Sequence, residues 1–244
     1  MPIQPIQLDL QKVDDVRDER GVDKEIIAAV GLNIDVSGSM RELFARGVVQ
    51  RIVERLIPVG MRFDYSGEID VKIFSSGDLV AALVGATEDN YRGYVGREIL
   101  NNPEADPVLW KSTVYGSVVR ANLREYGLLK ATRTNFFLPK RETIVGATTT
   151  GYPAIIYFVT DGENYDPEET LDLFKKAEAV KAPIYFMFVG IGDESFNFVT
   201  SAARQFGNVG FLKVRDLSKF ADSSDIYEKL LDAKLCEWLK KTKK

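Results

Sequence analysis

The chain has 244 residues, of which 45% are hydrophobic and 28% charged, and its 32 basic and 36 acidic residues give a net charge of −4. This balance is typical of one globular domain, and the net acidity argues against a nucleic-acid-binding surface. There is no histidine and one cysteine, Cys236, which excludes histidine-based triads, the usual zinc sites and an intramolecular disulfide. Any metal site must therefore use oxygen ligands, which favours Mg²⁺, Mn²⁺ or Ca²⁺.

Residues 1–24 are predicted to form an N-terminal extension. Apolar and polar residues alternate over 6–10, which is typical of an edge strand, and the densely charged residues 14–24 are typical of a linker or loop. The chain starts without the basic and apolar segments of a signal peptide. No apolar run approaches the roughly 20 residues that cross a bilayer. We therefore expect a cytoplasmic protein without a membrane partner.

Residues 25–240 are predicted to form the main domain. A nearly continuous apolar run at 26–34 predicts a buried strand that ends at Asp35. An apolar stripe with helical spacing follows at 48–57, and Pro58 is expected to end that helix.

The alternation of strands and helices continues to the end of the chain. Further strands are predicted at 69–74, 79–84, 154–159, 184–189 and 210–214, and further helices at 167–180, 196–206 and 224–239. This order predicts an α/β fold with a doubly wound, mostly parallel sheet and helices on both faces. Asp166 is predicted to cap the helix that begins at Pro167. Residues 130–152 are predicted to be an insertion, such as a small hairpin, and 241–244 a basic tail.

Two acidic residues follow the buried strands of this predicted sheet. Asp35 and Asp161 each stand where a strand ends, and ligands of open α/β sheets bind at that edge. Two neighbouring carboxylates repel each other unless a cation or a shared proton neutralises them. Ser37 and Ser39 place two hydroxyls beside Asp35, and carboxylate and hydroxyl oxygens are ligands suited to Mg²⁺.

These residues carry a family resemblance. Asp35-Val36-Ser37-Gly38-Ser39 resembles the DxSxS motif of the metal-ion-dependent adhesion site (MIDAS) in von Willebrand factor type A (vWA) domains. The strand that ends at Asp161 resembles the second acidic strand of that family. The loop 110–116 resembles the one that supplies a threonine, here Thr113, although Lys111 and Ser112 stand where many members have two glycines.

The resemblance implies a metal-dependent protein-binding module of Rossmann-like vWA fold, and no enzyme. Ser37, Ser39 and Thr113 would contact the metal through hydroxyls, and Asp35 and Asp161 would bind it directly or through water. A glutamate or aspartate of a protein partner would complete the coordination. The segments 161–164 and 110–116 are most similar to the vWA domains of bacterial tellurite-resistance (Ter) stress proteins.

Two alternative functions remain open from the sequence. One is a phosphatase or phosphotransferase with Asp35 as nucleophile. Such enzymes usually carry a second aspartate two residues on as general acid, and a serine, Ser37, stands there in this chain. The other is an assembly protein without a metal. Glu163 is interpreted either as an exposed loop carboxylate or as an acid near the metal.

Overall fold

A six-stranded sheet forms the centre of the protein. The computed structural model describes residues 5–132, 141–162, 164–215 and 226–242. The strands are β1 (Ala29–Asp35), β2 (Asp70–Phe74), β3 (Val80–Ala82), β4 (Leu129–Thr132), β5 (Arg141–Ile144), β6 (Ala154–Thr160), β7 (Ile184–Ile191) and β8 (Val209–Val214). The central sheet has the order β3-β2-β1-β6-β7-β8, while β4 and β5 form a separate antiparallel pair.

Helices cover both faces of this sheet. They are α1 (Pro5–Glu19), α2 (Arg41–Ala45), α3 (Val48–Phe63), α4 (Tyr115–Glu125), α5 (Pro167–Ala179), α6 (Asn197–Gln205), α7 (Ile226–Leu230) and α8 (Ala233–Thr242). Apolar residues of α1, α2, α3, α7 and α8 share one buried core, and those of α4, α5 and α6 share the other. None of the helices in the described ranges has the length and apolar character needed to span a membrane.

The predicted fold class is confirmed. All neighbours in the central sheet are parallel except β2 and β3, which are antiparallel, so the sheet is mostly parallel as predicted. Every residue of β1, β6 and β7 is buried, because both faces of the sheet carry helices. The antiparallel pair β4–β5 overlaps the predicted insertion, of which residues 133–140 lie outside the described part of the chain.

The order of the strands reverses direction at the centre of the sheet. From β1 the chain proceeds to β2 on one side, whereas β6 pairs with β1 on the other side. Connections that leave β1 and β6 therefore diverge, and a crevice opens at the carboxyl ends of these two strands. Asp35 and Asp161 both stand at this crevice.

The predicted edge strand at residues 6–10 is wrong, because this segment lies in α1. The alternation covers five residues, whereas a longer stretch has helical spacing, with Ile6, Leu10, Val13 and Val16 all buried. Leu8 lies on the other face of the helix and is 49% exposed. The segment forms a helix instead of a strand because a helix buries this apolar stripe against α3.

The charged segment 14–24 is not a free linker, because its first six residues belong to α1. Arg17 is 1% exposed, and its guanidinium donates to the carbonyl oxygens of Arg62 at 2.6 Å and Asp23 at 2.7 Å. The same group lies 4.3 Å from the ring centroid of Phe63. Ion pairs from Asp9 to Arg55 at 2.6 Å add to this attachment. The extension therefore packs on the main domain.

Two predicted helices also differ from the structure. The helix α3 continues past Pro58 to Phe63, because the buried stripe extends through Val59 and Phe63 and outweighs the hydrogen bond that proline cannot make. The predicted closing helix is divided into α7 and α8. Asp232 stands between them and accepts a hydrogen bond from the backbone N–H of Leu235 at 2.8 Å, which is the geometry of an N-cap.

Candidate metal centre

All five predicted metal ligands lie in one hydrogen-bonded network at the crevice. Ser39 donates its hydroxyl to Asp161 Oδ1 at 2.9 Å, and the hydroxyls of Ser37 and Ser39 are 3.2 Å apart. Thr113 donates to Asp35 Oδ2 at 3.4 Å. The turn after β1, the loop before α4 and the end of β6 thus bring two carboxylates and three hydroxyls together.

The carboxylate of Asp35 is the most enclosed group of this network. It is fully buried, and its Oδ1 accepts the backbone N–H of Ser37 at 2.8 Å. Its Oδ2 accepts the hydroxyl of Thr160 at 2.7 Å, in addition to that of Thr113. By contrast, Asp161 is half-buried and Ser39 is exposed. The network therefore runs from a buried end at Asp35 to a solvent-facing end at Ser39.

The two carboxylates are short of positive charge. Burial raises the pKa of Asp35 to about 6, hydrogen bonds from Thr160 and Ser37 oppose this rise, and the nearby charge of Asp161 adds to it. Burial also raises the pKa of Asp161. Within the described ranges, no lysine or arginine forms an ion pair with either residue. Two neighbouring acids without a counter-charge favour a proton or a cation.

Backbone hydrogen bonds hold the Thr113 loop, in which Lys111 and Ser112 precede the threonine. The N–H of Trp110 bonds to the carbonyl of Val36 at 2.6 Å, the N–H of Gly38 bonds to the carbonyl of Lys111 at 2.9 Å, and the N–H of Val114 bonds to the carbonyl of Ser75 at 3.2 Å. The loop is therefore attached to the ends of β1 and β2 and to the DxSxS turn.

The left-handed residue of this loop is Trp110, with φ of 64°. Side chains rarely adopt this conformation unless the surroundings impose it. Here the indole contacts the ring of Phe44 edge-on at 5.5 Å, and the guanidinium of Arg41 lies 4.8 Å from its centroid. Packing of the tryptophan side chain thus stabilises the turn that precedes Thr113.

Asp166 occupies the N-cap position of α5 as predicted, with its backbone carbonyl accepting the N–H of Thr170 at 3.1 Å, but its carboxylate caps the backbone of α4 instead of that of α5. Its Oδ1 accepts the backbone N–H of Tyr115 at 3.0 Å, and its Oδ2 accepts that of Gly116 at 2.8 Å. Asn164 Oδ1 also accepts the N–H of Tyr115, at 3.1 Å. The connection after β6 therefore reaches across to the loop that carries Thr113. Glu163 lies outside the described residues.

The sequence interpretation gave no role to Thr160 and left open whether Tyr115 rims the site or simply packs, and both contribute buried hydroxyls to it. Thr160 bonds to Asp35, and the phenol of Tyr115 lies 3.0 Å from both the Thr160 hydroxyl and the carbonyl oxygen of Gly162. One signal for Thr160 was available. Ile34 pairs with Val159 in the register of β1 and β6, so the next residues, Asp35 and Thr160, had to be neighbours.

The comparisons with known proteins place this arrangement in one class. A family model described as "vWA-TerF-like: vWA found in TerF C terminus" matches residues 27–244. The protein YcbR of Bacillus subtilis (strain 168) is 31% identical over 242 residues, which cover 97% of this chain and 88% of that protein. An α/β sheet of this topology with a DxSxS turn defines a vWA domain. The chain belongs to the vWA-TerF-like family, whose match begins after α1.

Solved structures share the fold at low sequence identity. Proximal thread matrix protein 1 from the mussel byssus has a TM-score of 0.56 and 16% identity, over 86% of this chain and 48% of that chain. A von Willebrand factor type A protein from Catenulispora acidiphila has a TM-score of 0.50 and 10% identity, over 86% and 43%. The N-terminal domain of TFIIH p34 has a TM-score of 0.50 and 12% identity, over 82% and 97%. The chain thus spans less than half of the first two proteins.

Proposed function

We propose that this protein is a metal-dependent protein-binding module. A divalent cation, Mg²⁺ or else Mn²⁺ or Ca²⁺, binds at Asp35, Ser37, Ser39, Thr113 and Asp161, and an acidic side chain of a protein partner completes its coordination. Membership of the vWA-TerF-like family supports a role in protein interaction, and it favours a stress system of the tellurite-resistance type.

The observation that carries this proposal is the pair of carboxylates that form no ion pair with a lysine or arginine in the described part of the chain. Asp35 is fully buried next to the charge of Asp161, and both have raised pKa values. A buried charge is costly unless it is paired or bound to a metal. A divalent cation would remove the repulsion and the cost together.

The chemistry of the donors supports a hard cation. Every predicted ligand offers an oxygen, and the three hydroxyls at present bond to carboxylates or to one another. A hydroxyl that donates its hydrogen in this way keeps lone pairs for a metal. Oxygen-only sites suit Mg²⁺, Mn²⁺ and Ca²⁺. When bound, the cation supplies a positive charge that a partner's carboxylate can bind.

The exposed end of the site supports a protein as the ligand. Ser39 and Lys111 are exposed. Tyr165, whose N–H bonds to the carbonyl of Thr113 at 3.0 Å, is 75% exposed. Exposed aromatic side chains are frequent energetic centres of protein interfaces. A partner that reaches the cation would therefore also contact this tyrosine.

Neither alternative function has comparable support. As a nucleophile, Asp35 would need a general acid nearby, and Ser37, which stands where such enzymes usually carry a second aspartate, does not supply a proton near neutral pH. A metal-free assembly protein would keep two uncompensated acids at its centre, at a cost in stability.

Thermal unfolding in EDTA, Mg²⁺, Mn²⁺ and Ca²⁺ tests the metal site. Wild type should gain about 2.7 kcal/mol of stability at a metal concentration 100 times the dissociation constant. Asp35→Ala should show no gain. Asp70→Ala is the matched control, because Asp70 is a partly buried acid at the amino end of β2 with a raised pKa. Equal stability of the wild type in EDTA and in every metal would refute the metal site.

Capture of partners on immobilised protein tests the second half of the proposal. A partner should bind in Mg²⁺, and EDTA or the Asp35→Ala substitution should release it. Glutamate-to-glutamine and aspartate-to-asparagine substitutions in that partner should identify one acid whose loss abolishes binding. Binding that is unaffected by EDTA would contradict the proposed role of the metal.

A further inference from the structure

We propose that Asp166 is a positioning residue for the cation site, and that Asn164, Tyr165 and Asp166 form a clamp that holds Thr113 against Asp35. This inference rests on the proposed metal site. The side chain of Asp166 contacts none of the five predicted ligands. It bonds instead to the start of α4, where the Thr113 loop ends.

The first step is the cap that Asp166 provides. Its two carboxylate oxygens accept the backbone N–H groups of Tyr115 and Gly116 at 3.0 and 2.8 Å. These are the first two residues of α4, whose N–H groups have no partner within the helix. A negative charge at this end of a helix is also electrostatically favourable. The start of α4 is therefore fixed by a residue that follows β6.

The second step is the space that the sequence leaves for this contact. A Cβ atom on Gly116 would lie 2.4 Å from Asp166 Oδ2 and 3.2 Å from Cγ of Glu169. Gly116 has ordinary helical conformation, and alanine is the better helix former. A glycine at this position is thus unfavourable for the helix alone but permits the close approach of Asp166.

The third step connects the clamp to the cation site. Asn164 Oδ1 accepts the N–H of Tyr115 at 3.1 Å, and the N–H of Tyr165 donates to the carbonyl of Thr113 at 3.0 Å. Asn164 is itself held, because its amide donates to the hydroxyl of Thr170 at 3.0 Å. Hydrogen bonds thus fix the backbone at Thr113 and again at Tyr115, two positions further along the chain.

The consequence concerns the geometry of the ligands. Thr113 approaches Asp35 at 3.4 Å, and a small displacement of its loop would remove the hydroxyl from the cation. Asp161 and the clamp lie on the same connection between β6 and α5. The clamp therefore fixes the Thr113 loop relative to the Asp161 side of the site. Residues that orient metal ligands typically change metal affinity by about 10- to 100-fold when they are replaced.

Mn²⁺ binding, measured by calorimetry and by the electron paramagnetic resonance of the free ion, tests this inference. Asp166→Ala should weaken Mn²⁺ binding by about 10-fold. Gly116→Ala should weaken it in the same direction, because the new methyl group displaces the carboxylate. Asp166→Asn, which keeps one acceptor oxygen, should have a smaller effect. All measurements are made well below the unfolding temperature of each variant.

The control for a merely structural role is Asp232→Ala. Asp232 caps α8 through the N–H of Leu235, so this variant loses a helix cap in the opposite helical layer and should bind Mn²⁺ as wild type does. The inference is overturned if Asp166→Ala and Gly116→Ala bind Mn²⁺ like wild type while Asp35→Ala does not. It is also overturned if Asp232→Ala is weakened equally. Failure of wild type to bind Mn²⁺ would instead overturn the metal site itself.

Discussion

Thr160 donates its hydroxyl hydrogen to Asp35 Oδ2 at 2.7 Å, across the neighbouring strands β6 and β1. Both residues are fully buried. The oxygen of Thr160 also lies 3.0 Å from the phenol of Tyr115. Thr160 therefore stabilises the ionised form of Asp35, and it helps to set the direction in which the carboxylate points.

Replacement of Thr160 by valine should destabilise the ionised site. At pH 7 in EDTA, we expect the free energy of unfolding to fall by about 1.5–3 kcal/mol, because a buried hydrogen bond to a charged group is lost. At pH 4.5 the loss should be smaller, since Asp35 is then largely protonated. Chemical denaturation at both pH values measures this difference. An equal loss at both pH values would show that the bond does not depend on the charge of Asp35.

The stability of the metal-free protein should decrease between about pH 4 and pH 6. The pKa of Asp35 is about 6 in the folded protein, whereas the ordinary value for an aspartate is 3.8. Between these two pH values the folded state therefore binds more protons than the unfolded state. Stability is therefore greatest at low pH and is lost as Asp35 ionises, by about 3 kcal/mol over the full shift. Denaturation in EDTA across this pH range gives the measurement.

Asp35→Asn isolates this contribution, because an asparagine does not titrate. The difference in unfolding free energy between wild type and this variant should change with pH. The contributions of the other acids cancel in this difference, because both proteins contain them. Mg²⁺ should reverse the trend in wild type, since the metal binds the ionised form and its stabilisation grows as pH rises through 6. A difference that stays constant from pH 4 to 7 would contradict the raised pKa of Asp35.

The sequence was sufficient to predict the sheet and the position of the five proposed ligands. Buried parallel strands have continuous apolar sequences, and Asp35 and Asp161 interrupt them at the point where ligands of such sheets bind. The resemblance to vWA domains added Thr113, which has no comparable signal of its own. The metal itself stays a prediction.

Contacts between distant segments could not be predicted from local patterns. Asp166 precedes Pro167 and has the sequence signature of a cap for α5, yet its carboxylate bonds to α4, some fifty residues earlier in the chain. Arg17 lies in a charged segment that resembles a linker, and its burial depends on carbonyl oxygens at Asp23 and Arg62. In both cases tertiary packing, which a local pattern does not contain, selects the partner.

Arg17→Leu should destabilise the protein by about 3 kcal/mol. The substitution leaves the partly buried carbonyls of Arg62 and Asp23 and the buried carbonyl of Ile26 without this donor, and each unsatisfied buried group costs about 1–3 kcal/mol. Arg46→Leu is the control, because Arg46 is 61% exposed in its pair with Glu42, and exposed pairs contribute about 0–1 kcal/mol. Urea denaturation compares the two. Similar small losses would mean that α1 is not attached through Arg17.

Tyr165→Ala should separate partner binding from metal binding. The contact of Tyr165 with Thr113 is made by its backbone N–H, which alanine retains, so Mn²⁺ affinity should stay within about 2-fold of wild type. The side chain is 75% exposed beside the site. Its loss should weaken an Mg²⁺-dependent partner by about 10-fold, as expected for an aromatic residue at the centre of an interface.

Tyr65→Ala is the matched control for this prediction. Tyr65 is 65% exposed and stands between α3 and β2, at the amino edge of the sheet, so a partner at the cation cannot use it in the same way. Partner affinity should therefore be unchanged in Tyr65→Ala and reduced in Tyr165→Ala, as measured by surface plasmon resonance in Mg²⁺. Equal losses in the two variants would mean that the partner does not dock at the carboxyl edge of the sheet, whereas a loss of Mn²⁺ affinity in Tyr165→Ala would make its side chain part of the clamp.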